Sequence, residues 1–204
     1  MNITMTLEEF IKRFDHEGSI VLLEGKRNVL EADKKKLTAL GELLATHTSK
    51  LTFRSGNAGG SDQLFSDGVI AVDSKRLQVI TPYTGHRKKT NQAYETISLE
   101  DIDLKAESAL IDQSKKNKNI KKLIDPYVSG SKNRNTIKAA YIIRDTMKAI
   151  GTKEIKPTTL GIFYDDLEKP RTGGTGHTMN VCEQNGIPVI NQGVWFGWLG
   201  ESNQ

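Results

Sequence analysis

The sequence contains little cysteine, few aromatic residues and no long apolar run. Its single cysteine, Cys182, has no partner for an internal disulfide, which is typical of a reducing compartment. No apolar run approaches the roughly 18 residues that are needed to cross a bilayer. Residues 1–14 also lack the basic start, apolar middle and small-residue cleavage site of a signal peptide. We therefore expect a cytoplasmic protein that has no membrane partner.

The sequence also lacks a recognisable metal or nucleophile motif. His16, His47 and His86 are scattered along the chain, and Cys182 falls on the inner face of a short predicted helix. This spacing does not indicate a zinc site. No Ser/His/Asp arrangement can be read from the spacing of the polar residues. We predict no bound metal and no cofactor.

What the chain does have is enough apolar sequence for one sizeable core. Of its 204 residues, 36% are apolar and 26% are charged, which suits a single domain over residues 1–204. Thr6-Leu7-Glu8-Glu9 matches a capping box and predicts a docking helix within residues 1–17. The tail, 194–204, is apolar, so we expect it to pack on the domain or on a partner subunit of a homo-oligomer.

Predicted strands and helices alternate along the chain. Continuous apolar runs of strand length are typical of strands that are buried on both faces of a parallel sheet. The predicted strands cover residues 19–23, 51–54, 77–80, 160–164 and 187–190. The predicted helices cover residues 30–46, 63–71, 115–124, 134–150 and 179–185, and Ser98 is placed to cap a further one. This alternation favours an α/β fold whose parallel strands are joined by right-handed crossovers.

Loops rich in glycine or basic residues follow several predicted strands. They span residues 25–28, 55–62 and 171–178. The carboxyl ends of parallel strands lie at one edge of a sheet, so we expect these loops to converge on a single crevice. Gly173-Gly174-Thr175-Gly176, between a strand and a helix start, favours an anion such as phosphate. A surface turn that requires positive φ is the alternative, and both interpretations remain open.

The net charge is +4, and an excess of basic residues lies between positions 115 and 138. These residues are Lys115, Lys116, Lys118, Lys121, Lys122, Lys132, Arg134 and Lys138. A solvated helix face and a nucleic-acid groove both remain open interpretations of this cluster. Few aromatic residues are interleaved with the lysines, so a stacking platform for single strands is not indicated. Weak nucleic-acid binding by the first five lysines is retained as a second hypothesis.

Several motifs together resemble the Rossmann-like superfamily that contains the DNA-processing protein A family and the LOG-type phosphoribohydrolases. Gly25-Lys26-Arg27 resembles the Gly-Ser-Arg turn of the DNA-processing branch, and residues 55–62 resemble its Ser-Gly-x-Ala-x-Gly-x-Asp turn. Residues 133–137 resemble its Arg-Asn helix start, and residues 172–177 resemble the Pro-Gly-Gly-x-Gly-Thr turn of the LOG branch. The resemblance implies a Rossmann-like three-layer α/β domain with a mostly parallel sheet of about five or more strands.

The resemblance also implies a chemistry, from which one position departs. In the LOG branch a glutamate after the glycine turn takes part in N-glycosidic hydrolysis, and Asn180 stands at the matching position. An amide cannot act as a general base, so hydrolysis would need Asp165, Asp166 or His177 in its place. The feature implied across the superfamily is a site whose backbone turns hold a phosphate and a sugar.

We therefore predict a protein that binds a nucleotide or a nucleotide-derived small molecule, with N-glycosidic hydrolysis left open. Single-stranded nucleic-acid binding is the alternative. Arg27 is either a phosphate clamp or an exposed charge, and Asp62 is either a ribose acceptor or a helix cap. Arg134 and Asn135 either face the crevice or only begin a helix. The predicted ligand-binding residues are Gly25, Lys26, Arg27, Ser55, Gly56, Asn57, Asp62, Arg134, Asn135, Gly173, Gly174, Thr175, Gly176 and Asn180.

Overall fold

A computed structural model describes residues 4–201 and contains a sheet in which all the strands are parallel. The strands are β1 (Ile20–Gly25), β2 (Thr52–Ser55), β3 (Leu77–Thr81), β4 (Glu95–Ser98), β5 (Leu160–Tyr164) and β6 (Val189–Asn191). Their order in the sheet is β4-β3-β2-β1-β5-β6. The predicted Rossmann-like α/β fold is therefore confirmed.

Helices cover both faces of the sheet and complete the three layers. They are α1 (Leu7–Phe14), α2 (Glu31–His47), α3 (Ser61–Asp73), α4 (Ser108–Lys115), α5 (Lys121–Val128), α6 (Ile137–Ile150), α7 (Gly173–Gln184) and α8 (Gln192–Glu201). Side chains alternate between the two faces of a strand, so Val21 and Leu23 pack with α1, α2, α3 and α8, whereas Leu22 packs with α7. No helix within residues 4–201 is both long and apolar enough to cross a membrane.

The strand order reverses direction at β1. The chain runs from β1 outward through β2 and β3 to β4, and it then returns to place β5 and β6 on the other side of β1. The loops that follow β1 and β5 therefore leave the sheet in opposite directions, and a crevice opens between them. Such a switch point is where open α/β sheets usually bind ligands.

The middle of the chain differs from its prediction. The bounds of the helix predicted for residues 115–124 are wrong, because α4 ends at Lys115 and, after a loop, α5 begins only at Lys121. Pro126 lies inside α5 rather than beyond its end. β4 was not predicted, since only Ile97 among its residues is a large apolar one. Ser98 caps a single turn of 3-10 helix, not an α-helix.

Both ends of the described chain pack on the same face of the sheet. α1 begins with the predicted capping box at Thr6. Trp198 of α8 is buried and donates a hydrogen bond of 2.8 Å to the carbonyl oxygen of Met5. Its ring packs against that of Phe10 in a tilted arrangement with ring centroids 5.2 Å apart. The tail therefore packs on its own chain over residues 194–199, while residues 202–204 lie outside the described part. Whether the tail also contacts a partner subunit stays a prediction.

Gly68→Ala should destabilise the contact between α2 and α3. A Cβ atom at Gly68 would lie 2.0 Å from the carbonyl oxygen of Thr38, so the helices would have to separate. We expect the free energy of unfolding in urea to fall by about 1–3 kcal/mol, the usual cost of overpacking. Gly197→Ala is the matched control, because its Cβ atom meets nothing within 4 Å and alanine favours helix. Equal stabilities of the two variants would contradict this account of the helix contact.

Candidate functional site

A cavity of about 640 Å³ lies at the carboxyl edge of the sheet, beside the switch point. Its walls come from the loop after β1, the loop after β2 and the start of α7, as the sequence predicted for the three loops. We call this cavity the crevice. Its lining residues are Glu24, Gly25, Lys26, Arg27, Ala58, Asp62, Asn117, Asn119, Ile120, Lys138, Tyr141, Ile142, Arg144, Asp145, Lys148, Thr172, Gly173, Gly174 and Thr175.

The glycine-rich segment forms the first turns of α7. The prediction of an open turn before a helix at Met179 is wrong, because α7 already begins at Gly173. The helix can pack this tightly since a Cβ atom at Gly176 would lie 2.0 Å from the backbone of Arg171. The side chain of Thr172 does not cap the helix. The amides of the first turn therefore lie at the crevice with the positive end of the helix dipole.

Asp62 ties two of the loops together. Its carboxylate accepts a hydrogen bond of 3.3 Å from the backbone N–H of Gly25 and one of 3.2 Å from that of Ala58. The neighbouring Ser61 hydroxyl donates to the carbonyl oxygen of Lys26 at 2.7 Å. These bonds fix the loop after β2 against the loop after β1, so Asp62 has a structural role in the shape of the crevice.

Charged side chains form the floor of the crevice. Lys148 of α6 lies 2.7 Å from a carboxylate oxygen of Glu24 at the end of β1, and 2.9 Å from Asp145. Asp145 also pairs with Arg144 at 3.0 Å. The hydroxyl of Thr178 donates to the other Glu24 oxygen at 3.0 Å. All four charged side chains are nearly fully buried, so each charge depends on its partners for compensation.

Burial and neighbouring charges shift the pKa values of these floor residues. Burial raises the pKa of Glu24 to about 7 despite the contact with Lys148, and the negative charges of Asp145 and Asp62 add to this rise. Burial would also raise the pKa of Asp145, but Arg144 and Lys148 hold it below its ordinary value. Burial would lower the pKa of Lys148, yet the two carboxylates raise it. Glu24 is thus the floor group that titrates near neutral pH.

The mouth of the crevice is basic and aromatic. Lys26 pairs with Asp166 at 3.3 Å, whereas the Arg27 and Lys138 side chains form no hydrogen bond or ion pair with any residue in 4–201. Tyr141 lines the mouth, and its ring lies 5.9 Å from that of His86 and 6.5 Å from that of Tyr83. The mouth therefore offers positive charge and an aromatic ring to a ligand.

The structure brings half of the predicted ligand-binding residues to the crevice. Those that line it are Gly25, Lys26, Arg27, Asp62, Gly173, Gly174 and Thr175. Those that do not line it are Ser55, Gly56, Asn57, Arg134, Asn135, Gly176 and Asn180. Ser55, at the end of β2, and Gly56 and Asn57, at the start of the loop that follows it, are buried. Asn135 is exposed ahead of α6, and Gly176 contacts Arg171.

The predicted catalytic residues lie outside the crevice. Asp165 is buried and accepts a hydrogen bond of 2.9 Å from the backbone N–H of Arg171. Asp166 pairs with Lys26 and accepts from the N–H groups of Glu168 and Lys169. His177 and Asn180 line a neighbouring hollow of about 410 Å³. His177 lies 3.0 Å from the hydroxyl of Thr146 and 3.3 Å from the amide of Asn117.

The segment that carries the first five lysines of the basic cluster, residues 115–122, lies at the rim of the crevice. Asn117, Asn119 and Ile120, in the loop between α4 and α5, line the crevice itself. Lys115 pairs with Asp125 at 2.6 Å, and Lys116 donates to the side chain of Gln113. The side chains of Lys118, Lys121 and Lys122 are exposed and have no partner within residues 4–201. The segment and the crevice thus form one continuous surface.

Sequence reasoning missed the residues of the floor. They are Glu24, Arg144, Asp145 and Lys148, and Tyr141 at the mouth was missed as well. The residues from α6 were predicted only as part of a helix over residues 134–150. The available signals were a glutamate directly before the first glycine turn, and three charged residues at positions 144, 145 and 148 in the second half of a mainly apolar helix.

A comparison with solved structures supports the fold. The chain is similar to DNA processing protein A from Helicobacter pylori, a structure described for its unique single-stranded DNA binding mode. The match has a TM-score of 0.53 at 14% sequence identity, and it covers 86% of this chain and 65% of that chain. The likeness thus shows the Rossmann-like fold over about two thirds of the other protein's length. No protein-family model and no curated protein matches the sequence.

Glu24→Gln should change how stability depends on pH. Because the folded-state pKa is about 7 and the ordinary value is 4.5, the folded state binds more protons between these values, and stability falls as pH rises through this window. Glutamine cannot titrate. We expect urea unfolding from about pH 5 to about pH 8 to show a smaller loss of stability in the variant. The control Glu17→Gln, at an exposed position, should show the same pH dependence of stability as the wild type. If Glu24→Gln also shows the wild-type pH dependence, the raised pKa of Glu24 is contradicted.

Proposed function

We propose that the protein binds a nucleoside phosphate in the crevice. The observation that carries the proposal is the place of the cavity, at the switch point of a parallel sheet between the amides of a helix start and an unpaired arginine. A cavity of this size is within the range of small-molecule sites. The resemblance of residues 55–62 and 172–177 to motifs of the two branches supports the same ligand class.

The phosphate is assigned to the mouth of the crevice. Arg27 is exposed and free of ion pairs within residues 4–201, and Lys26 lies beside it. The first amides of α7 lie on the opposite wall. A guanidinium and helix-start N–H groups are the donors that proteins use for phosphate. The carboxylate of Asp145 lies close to Gly174. Because its negative charge repels an anion, the phosphate is favoured at the outer end of this wall.

The sugar and base are assigned to the floor and the aromatic wall. The carboxylates of Glu24 and Asp145 are acceptors suited to sugar hydroxyl groups. Tyr141 and Asp145 are one turn apart on α6, about 6 Å along the helix axis. A base above Tyr141 therefore lies within reach of the sugar, and the side-chain amide of Asn119 is available to its edge.

Binding without hydrolysis is the form of the proposal that the residues favour. Asn180, which matches the glutamate of the LOG-type hydrolases, lies in the neighbouring hollow and not in the crevice. The predicted replacements, Asp165, Asp166 and His177, also lie outside it. A sensor or a protein that sequesters its ligand needs only the contacts described above.

Arg27→Gln should weaken nucleotide binding without unfolding the protein. Loss of a charge-assisted contact costs about 1.5–3 kcal/mol, so we expect a rise in Kd of roughly 10- to 100-fold for the best-binding nucleoside monophosphate. Isothermal calorimetry with a panel of nucleotides measures it. Arg13→Gln, in α1 away from the crevice, is the matched control. Gly174→Val provides a second variant that obstructs the crevice, and wild-type affinity in both crevice variants would contradict the proposal.

Single-stranded nucleic acid is the second candidate ligand. The similar Helicobacter protein is described as binding single-stranded DNA, and the unpaired lysines at positions 118, 121 and 122 follow the rim of the crevice. A strand bound along this rim would neutralise them with its phosphates. This candidate places the main binding energy on the rim and not inside the cavity.

Replacing Lys118, Lys121 and Lys122 together by glutamine tests this candidate. Counterion release predicts that the slope of log affinity for oligo-dT against log salt falls by about 2 units when three phosphate contacts are lost. Replacing the exposed Lys12, Lys50 and Lys75 removes the same charge elsewhere and is the control. Binding that disappears with the rim lysines but survives Arg27→Gln and Gly174→Val would favour the strand over the nucleotide. If the two triple variants show the same salt dependence of oligo-dT affinity, the rim lysines do not contact the phosphates of the strand.

A further inference from the structure

We propose that a second hollow beside the crevice, distinct from the one lined by His177 and Asn180, binds a planar ring. The complete ligand is then a dinucleotide unit with one base in the crevice and the other in this second hollow. This inference rests on the proposed function and specifies its ligand. The second hollow has a volume of about 290 Å³ and is lined by Tyr83, Glu100, Tyr127, Lys132, Asn133, Arg134 and Ile137. It belongs to none of the loops that form the crevice walls.

Tyr127 is the observation that points to a ligand. Its side chain lines the hollow and is only 5% exposed. Its hydroxyl group has no hydrogen-bond partner among residues 4–201. The hydroxyl is therefore free to donate a hydrogen bond to a group bound in the hollow and to accept one from it.

The shape and charge of the hollow suit a nucleobase. The rings of Tyr83 and Tyr127 and the side chain of Ile137 form apolar walls. Lys132 and Glu100 pair at 2.8 Å at its edge, and this pair leaves the guanidinium of Arg134 as the unpaired charge. Flat aromatic walls with a few polar groups at the edge are the surroundings in which proteins stack single-stranded bases.

The two cavities adjoin along α6. Ile137 lines the hollow and the next residue, Lys138, lines the crevice. Tyr83 of the hollow and Tyr141 of the crevice meet edge to face with ring centroids 6.5 Å apart. Ile137 and Asp145 lie about 12 Å apart along the helix axis. Lys138 has no partner within residues 4–201 and stands between the two cavities, where the phosphate that joins two nucleosides would lie.

The test compares one-unit and two-unit ligands. Wild-type protein is titrated with the four ribonucleoside 5′-monophosphates and the four matching 5′-phosphorylated homodinucleotides. We expect the best dinucleotide to bind at least about tenfold more tightly than its mononucleotide. Tyr127→Phe keeps the ring and removes the hydroxyl, and Arg134→Gln removes the charge. Each should weaken the dinucleotide about fivefold or more and leave the mononucleotide unchanged.

The outcomes separate this inference from the proposed function. If mononucleotides bind and dinucleotides bind no better, the hollow is not a subsite although the crevice is. If Tyr127→Phe and Arg134→Gln leave dinucleotide binding intact, the second base lies elsewhere and the inference is overturned. Absence of binding by both ligand sizes overturns both. Tyr94→Phe, at an exposed tyrosine, is the control. If dT10 binds more tightly than dT2, and Tyr127→Phe and Arg134→Gln weaken both, the two cavities bind the dinucleotide unit as part of a longer strand, which supports the inference.

Discussion

The ion pair between Glu24 and Lys148 joins the carboxyl end of β1 to α6 in the protein interior. Both side chains are nearly fully buried, and removal of Lys148 would leave the carboxylate of Glu24 buried without a cationic partner. Thr178 adds α7 to the same network through its hydrogen bond to Glu24. The central strand and the two helices that border the crevice are therefore held together by polar contacts, and apolar packing alone does not determine their positions.

This network explains why the crevice has a polar floor and a cationic mouth. Lys148 and Arg144 offset the carboxylates of Glu24 and Asp145. The unpaired cations, Arg27 and Lys138, lie further out. The cations at the mouth would attract an anionic group of the proposed ligand, and its uncharged part would meet the carboxylates below. The charges that stabilise the fold would thus also orient that ligand.

The sequence allowed the alternation of strands and helices, and the convergence of three loops, to be predicted. Buried parallel strands are continuous apolar runs, and parallel connectivity brings their carboxyl ends together. The start of α7 was missed because glycines disfavour a helix, and only the close approach to Arg171 makes Gly176 suitable there. The floor was missed because Asp145 and Lys148 acquire their role from β1, a partner more than 100 positions away along the chain. Helical periodicity does not report such contacts.

The position of Asn180 shows why motif matching and site geometry have to be argued separately. Asn180 follows the glycine segment at the family's spacing, but that segment is helical here, so the residue lies a further two turns along α7 on the side that faces the neighbouring hollow. The carboxylates that face the crevice come from β1 and α6 instead. Both are already engaged by Lys148, so the fold itself compensates their negative charge when they are ionised. The position that matches the glutamate of the LOG-type motif and the carboxylates of the crevice therefore come from different elements of the fold.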